Sequence, residues 1–182
     1  MRFTKTIILL LFFAFFSKEV LAGGPTVPVA SGVSVANKVT DAEDTVDLST
    51  PEAAVRSLLS AFYLSDPSIT ERVLLEDASF HRVKVDGEVK TIDLNEWRDW
   101  IGKQNKGDIV EEIFDVKVSE FVNLASVWAP FIISRKGEIF YCGVNQFTVV
   151  KTNGEWRIIN FVDADTNEET DCATFKETHG KE

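Results

Sequence analysis

GEIFYCGVNQFTVVKTNGEWRIINFVDAD, running from Gly137 to Asp165, is the stretch that decides the fold. It reads as two long β-strands, Glu138–Val150 and Glu155–Val162, joined by the turn Lys151-Thr152-Asn153-Gly154. Asn-Gly between β-branched and aromatic runs is the strongest short-range hairpin signal, because both residues tolerate the positive φ of a type I′ turn. Alternate strand residues share a face. Tyr141, Gly143, Asn145, Phe147 and Val149 therefore lie on one side, and Phe140, Cys142, Val144, Gln146 and Thr148 on the other. Neither face is simply polar, so each needs cover: helices on one side, a partner chain or further sheet on the other.

Upstream of the hairpin the chain supplies that cover. Thr50 is a good N-cap and Pro51 suits the first helical position. Val55, Leu58, Leu59, Phe62 and Tyr63 then recur at the spacing of an amphipathic helix. Asp66-Pro67 ends it and opens a short second helix to about Leu75. Ser79–Val85 and Glu88–Ile92 read as strands around the tight turn Asp86-Gly87. Asp93-Leu94-Asn95-Glu96 is a capping box for a third helix that places Trp97, Trp100 and Ile101 on one face and reaches Gly107. Glu111–Glu120 and Leu124–Ser134 complete a run of four long antiparallel strands. Helices gathered on one side of a strongly curved antiparallel sheet make an α+β cone with a concave, largely apolar interior.

The 182 residues carry a formal charge of −10. Arg2 and Lys5 followed by the apolar run Ile7–Phe16 and by Val20-Leu21-Ala22 read as a cleaved signal peptide over 1–22, hence a periplasmic or secreted protein. Ten apolar residues are short for a bilayer, so no stable membrane insertion is expected after cleavage. Residues 23–48 read as an extended linker, 49–165 as the domain and 166–182 as a polar tail. The acidic balance disfavours nucleic acid and anionic membrane surfaces as partners. Cys142 and Cys172 are too few for a disulfide scaffold or a four-thiolate zinc site, and in an oxidising compartment they either form one bridge or stay unpaired.

On this layout the chain resembles the nuclear-transport-factor-2-like (NTF2-like, cystatin-like) superfamily, which also holds SnoaL-type cyclases and ketosteroid isomerase. Within it the resemblance is to secreted bacterial lumazine-binding-type proteins. It is carried by Leu75-Glu76-Asp77-Ala78-Ser79-Phe80, by the A-S-V-W-A-P-F run Ala125–Phe131, by Tyr141-Cys142-Gly143-Val144 before Phe147, and by Gly154-Glu155-Trp156-Arg157-Ile158. The resemblance implies a cone fold over residues 49–165. Ketosteroid isomerase would need a Tyr, an Asp base and a protonated Asp at positions that here fall on Leu58, Arg82 and Asn145, so that activity is not implied.

Candidate site residues follow. His81, if it faces the cone, would be oriented by Asn145 or Asp163 as a general acid or base; pointed outward, it leaves Phe80 facing in. Asn145 is a mid-strand amide that needs partners, from a ligand or from a neighbouring strand. Trp97, Trp100, Trp128, Trp156 and Tyr141 are either an aromatic cage or ordinary core, with Trp128 and Tyr141 preferred as ligand contacts. Asp163 to Thr174 lacks the Gly and the final acid of a calcium loop. With only His81 and His179, no metal site is expected, and no Gly-rich phosphate loop, Ser-His-Asp order or Cys-x-x-Cys points to a cofactor. Three functions compete: a module binding a small aromatic or apolar molecule; a SnoaL-type acid–base isomerase, cyclase or hydrolase using His81; and a scaffold with a filled pocket. Outward Phe140 and Val144 favour a homodimer through the sheet.

Overall fold

A computed structural model describes residues 46–166 and 171–179; the expected signal peptide and most of the linker lie outside the described residues. The elements are α1 (Pro51–Leu64), α2 (Ser68–Val73), β1 (Leu74–Val83), β2 (Val89–Ile92), α3 (Leu94–Gly102), β3 (Ile109–Ile113), β4 (Lys117–Phe121), β5 (Leu124–Arg135), β6 (Glu138–Thr152), β7 (Glu155–Asp165) and α4 (Cys172–His179).

The caps act as expected. Thr50 Oγ1 accepts from the Ala53 amide at 3.1 Å, and Asp93 Oδ1 from the amides of Asn95 and Glu96. At the hairpin tip Asn153 and Gly154 both take positive φ, 53° and 87°. The strand order is β2-β1-β7-β6-β5-β3, with β4 pairing the other half of β5. The mixed α+β architecture is therefore a curved sheet wrapped around α1, whose Val55, Leu58, Leu59 and Phe62 bury against it. Each such side chain removed from water contributes about 1.5–3 kcal/mol.

Several details differ from expectation. β1, the first strand of the chain, pairs β7, the last, in parallel. The expected single strand Glu111–Glu120 is two, since Asp115 takes a left-handed φ of 44° and breaks it between β3 and β4. α3 stops at Gly102, short of Gly107, whose N–H instead donates to the Tyr63 carbonyl at 2.7 Å. Residues 46–48 pack with the domain rather than the linker. Val46 and Leu48 lie on the core, and the Trp156 amide donates to the Leu48 carbonyl.

The tail also has structure. Cys142 and Cys172 are joined, with Cα atoms 5.7 Å apart, and this holds α4 to the outer surface of the sheet. Lys176 Nζ lies 2.6 Å from Glu112 Oε1, and Phe175 meets Phe114 edge to face.

One irregularity shapes the cone's mouth. Ile133 pairs with Tyr141 but Ser134 with Ile139, so Phe140 is an extra residue bulged out of the ladder. The bulge shifts strand parity and turns Phe140, expected on the outer face, toward the cavity rim.

Candidate functional site

Inside the cone lies a cavity of about 200 Å³. Its wall is aromatic. Phe80 stacks on Phe161 with centroids 4.2 Å apart, and Trp97 lies 5.5 Å from Phe62, 5.7 Å from Phe80 and 5.6 Å from Phe161. Phe131 and Phe147 continue the lining from β5 and β6. Trp100, Arg135 and Phe140 also line it and are exposed, so they mark the mouth. An apolar cavity of roughly 150 Å³ can hold benzene, so this space fits one ring with a short substituent.

Polar groups converge on this wall because the register aligns them. Arg82 on β1 lies opposite Asp163 on β7, which lies opposite Asn145 on β6. Arg82 donates from Nε at 2.9 Å and from Nη2 at 2.5 Å to the two Asp163 oxygens, and from Nη2 at 3.3 Å to Tyr141 Oη. Its guanidinium also lies 5.8 Å from the ring centres of Phe80 and Tyr141, and Asp165 Oδ1 is 3.7 Å from Nε. Burial alone would weaken the Arg82 charge, but the Asp163 hydrogen bonds and nearby acids hold its pKa above the usual arginine range. Both Nε and Nη2 of this guanidinium are engaged.

Glu111 is the other polar centre. It comes from β3, where Ile109, Glu111 and Ile113 share the inward face. Asn145, 5% exposed, donates from Nδ2 to Glu111 Oε1 at 2.6 Å. Among the described residues Oε2 has no hydrogen-bond partner. Glu111 is half-buried and lines the cavity. Burial pushes its pKa up to about 7; the Asn145 bond and the Arg82 charge pull down, and the Asp163 charge pushes up. Burial likewise raises the Tyr141 phenol, so it keeps its proton. That proton has no protein acceptor among the described residues.

The placement of each expected site residue is mixed. Phe80, Trp97, Tyr141, Asn145 and Asp163 line the cavity together. Trp128 does not. The ladder sets Ile133, not Trp128, opposite Tyr141, and sets Trp128 opposite Gln146 on the outer face, where it is 47% exposed. His81 also points away from the cone, since its neighbours Phe80 and Arg82 take the inward positions; its Nδ1 sits 3.2 Å from Thr91 Oγ1. Neither Asn145 nor Asp163 can orient it. Trp156 is core. His179 sits in α4 against Phe175.

Two polar residues of the cavity are not among the candidates that the sequence suggests. In the sequence Arg82 stands out only as a position where a ketosteroid isomerase would need an acid, and Glu111 lies inside an expected strand. A signal for Glu111 existed: it is a lone acid between Ile109 and Ile113 at period two, on a face that must be buried.

No family model and no curated protein matches this sequence. Its shape is similar to a protein of unknown function with a cystatin-like fold from Nostoc punctiforme PCC 73102, at 10% identity and TM-score 0.52, covering 64% of this chain and 89% of that one. It is also similar to an uncharacterised cystatin-like-fold protein from Caulobacter vibrioides, at 14% identity and TM-score 0.51, covering 70% and 93%. An NTF2-like protein of unknown function from Methylobacillus flagellatus KT matches at 12% identity and TM-score 0.50, covering 68% and 100%. The fold is NTF2-like. At such identities the likeness carries the architecture and no function. What an NTF2-like cone does depends on the side chains inside it. Here these are an aromatic wall, an engaged Arg82–Asp163 pair and a buried Glu111–Asn145 pair.

Proposed function

We propose that this domain binds one small, ring-containing molecule inside the cone. The observation that carries the reading is the cavity itself: about 200 Å³ walled by Phe62, Phe80, Trp97, Phe131, Phe147 and Phe161, with a few polar side chains among them. An apolar cavity with a few convergent polar groups is the usual geometry of a small-molecule site. Tyr141 offers a donor and Glu111 an acceptor to whatever enters. Thermal-shift screening of the chain against monocyclic aromatic compounds tests the reading. A ligand at 100 times its Kd should stabilise the fold by about 2.7 kcal/mol. Phe131→Trp, which fills the space, should abolish the shift. Stabilisation that survives Phe131→Trp would place the ligand elsewhere.

A second reading rests on Glu111. A carboxyl titrating near 7 inside an apolar cavity is suited to proton transfer, and it takes the acid–base role that His81 cannot fill from outside. Turnover of a bound compound that is lost in Glu111→Gln, with binding kept, would support it.

A further inference from the structure

The cavity's charges do not balance. Four kinds of group act on Glu111: Asn145 from β6 as a hydrogen-bond donor, Asp163 from β7 and Arg82 from β1 as opposing charges, and Tyr141 from β6 as a neutral phenol. Of the residues that line the cavity with it, α1 contributes the apolar Leu58, Leu59 and Phe62, and β5 contributes Phe131, Ile133 and the uncharged Ser134. Arg82 is the half-buried cation in reach, and Asp163 already takes it in a two-pronged pair with Asp165 behind. Arg135 lines the mouth, but its side chain is exposed and it is not among the groups acting on Glu111. An ionised Glu111 would therefore hold an uncompensated negative charge in an aromatic enclosure. Buried charges are stable only when paired. Two features of the enclosure suit a cation: a carboxylate oxygen without a protein partner, and aromatic rings whose faces attract positive charge.

Resting on the binding reading above, we infer that the ligand is a small organic cation, a ring-bearing amine whose ammonium pairs with Glu111 while its ring lies against Phe62, Phe131 and Phe147. The ammonium would donate to Oε2, leaving the Asn145 bond to Oε1 in place. Glu111 must then be ionised in the complex, so binding below the pH at which it titrates releases a proton from the protein to solvent. The amine is already protonated there and contributes none.

The test uses three probes of one shape: 2-phenylethylamine, 2-phenylethanol and phenylacetate, each titrated calorimetrically into the full chain at pH 8 and pH 6. The amine is expected to bind at least tenfold more tightly than the alcohol at pH 8. At pH 6 its apparent heat should change with the ionisation enthalpy of the buffer, reporting release of close to one proton, while the alcohol shows none. Glu111→Gln should remove the amine's advantage over the alcohol. The proton count is read on the unaltered chain, so it stands even if a variant misfolds. Equal binding of amine and alcohol would overturn the cationic ligand and leave the cavity reading intact. Phenylacetate binding most tightly would overturn it in favour of an anion drawn by Arg135. No binding of any probe would overturn both.

Discussion

Glu111 allows a prediction whose size comes straight from its surroundings. Burial lifts the carboxyl from its ordinary 4.5 to about 7. The folded protein thus keeps a proton that the unfolded chain releases at lower pH. Where the folded state binds more protons, stability falls as pH rises. The loss begins near pH 4.5 and is complete a little above pH 7. Moving one carboxyl across that range corresponds to about 3 kcal/mol. Glu111→Gln keeps the shape and still offers an oxygen to Asn145, but it cannot ionise. Urea denaturation of both proteins from pH 4 to pH 8.5 gives the comparison, and taking their difference cancels other titrating groups. Around pH 4 the two should differ only by the fixed effect of the amide. By pH 8 the variant should have gained about 3 kcal/mol relative to the parent. A difference that stays flat across the window would show that Glu111 ionises in the fold as freely as in water, and the reasoning about its enclosure would be wrong.

Other perturbations probe the remaining parts. Asp163→Ala leaves the half-buried Arg82 guanidinium with Asp165 at 3.7 Å as its remaining acid, and should cost about 1.5–3 kcal/mol, the range for hydrogen bonds to a charged group; Arg82→Met with Asp163→Leu should recover most of that in the same urea assay. Replacing Glu111 by Leu and Asn145 by Val together should raise the melting temperature, because two polar groups bonded to each other leave together and neither is orphaned by the loss of the other. Cys172→Ser opens a link spanning 30 residues and should lower stability by about 3 kcal/mol under oxidising conditions. A reductant should bring the parent down to the variant's urea midpoint and leave the variant unmoved, with α4 becoming the first site of proteolytic cleavage in both.

Much of the frame could be read from the chain, and the reasons are local. Thr50-Pro51, Asp93-Leu94-Asn95-Glu96 and Asn153-Gly154 each satisfy backbone groups through neighbours in sequence, so their signals do not depend on the rest of the fold. The concave face of β6 followed from alternation alone, and Tyr141, Asn145 and Phe147 line the cavity as that period requires. What could not be read is set by pairing between distant strands. Whether Phe80 and Arg82 or His81 points inward depends on β1 lying beside β7, 81 residues away along the chain. Trp128 was misplaced because its register against Gln146 is fixed by the whole length of the β5–β6 ladder, including the bulge at Phe140. The tail looked uniformly polar because the contacts that hold α4, those of Phe175 and Lys176 with Phe114 and Glu112, join segments far apart in sequence.

The two buried polar pairs differ in a way that bears on function. Arg82 and Asp163 neutralise each other, and Tyr141 adds a hydrogen bond to the guanidinium, so the pair can be explained by cohesion of β1 with β7 alone. Glu111 and Asn145 cannot be explained that way. The amide satisfies one carboxyl oxygen and supplies no charge, and the flanking Ile109 and Ile113 show that an aliphatic side chain would suit the same face of β3. A protein that keeps an acid where a hydrocarbon would be more stable retains a local cost of folding, and such costs cluster where a site needs the group for something else. The acid borders the cavity, its second oxygen lacks a protein partner among the described residues, and its pKa of about 7 places its charge under the control of whatever enters. On the proposed reading Glu111 is therefore the group to perturb first, with the surrounding rings limiting the size and shape of what could reach it.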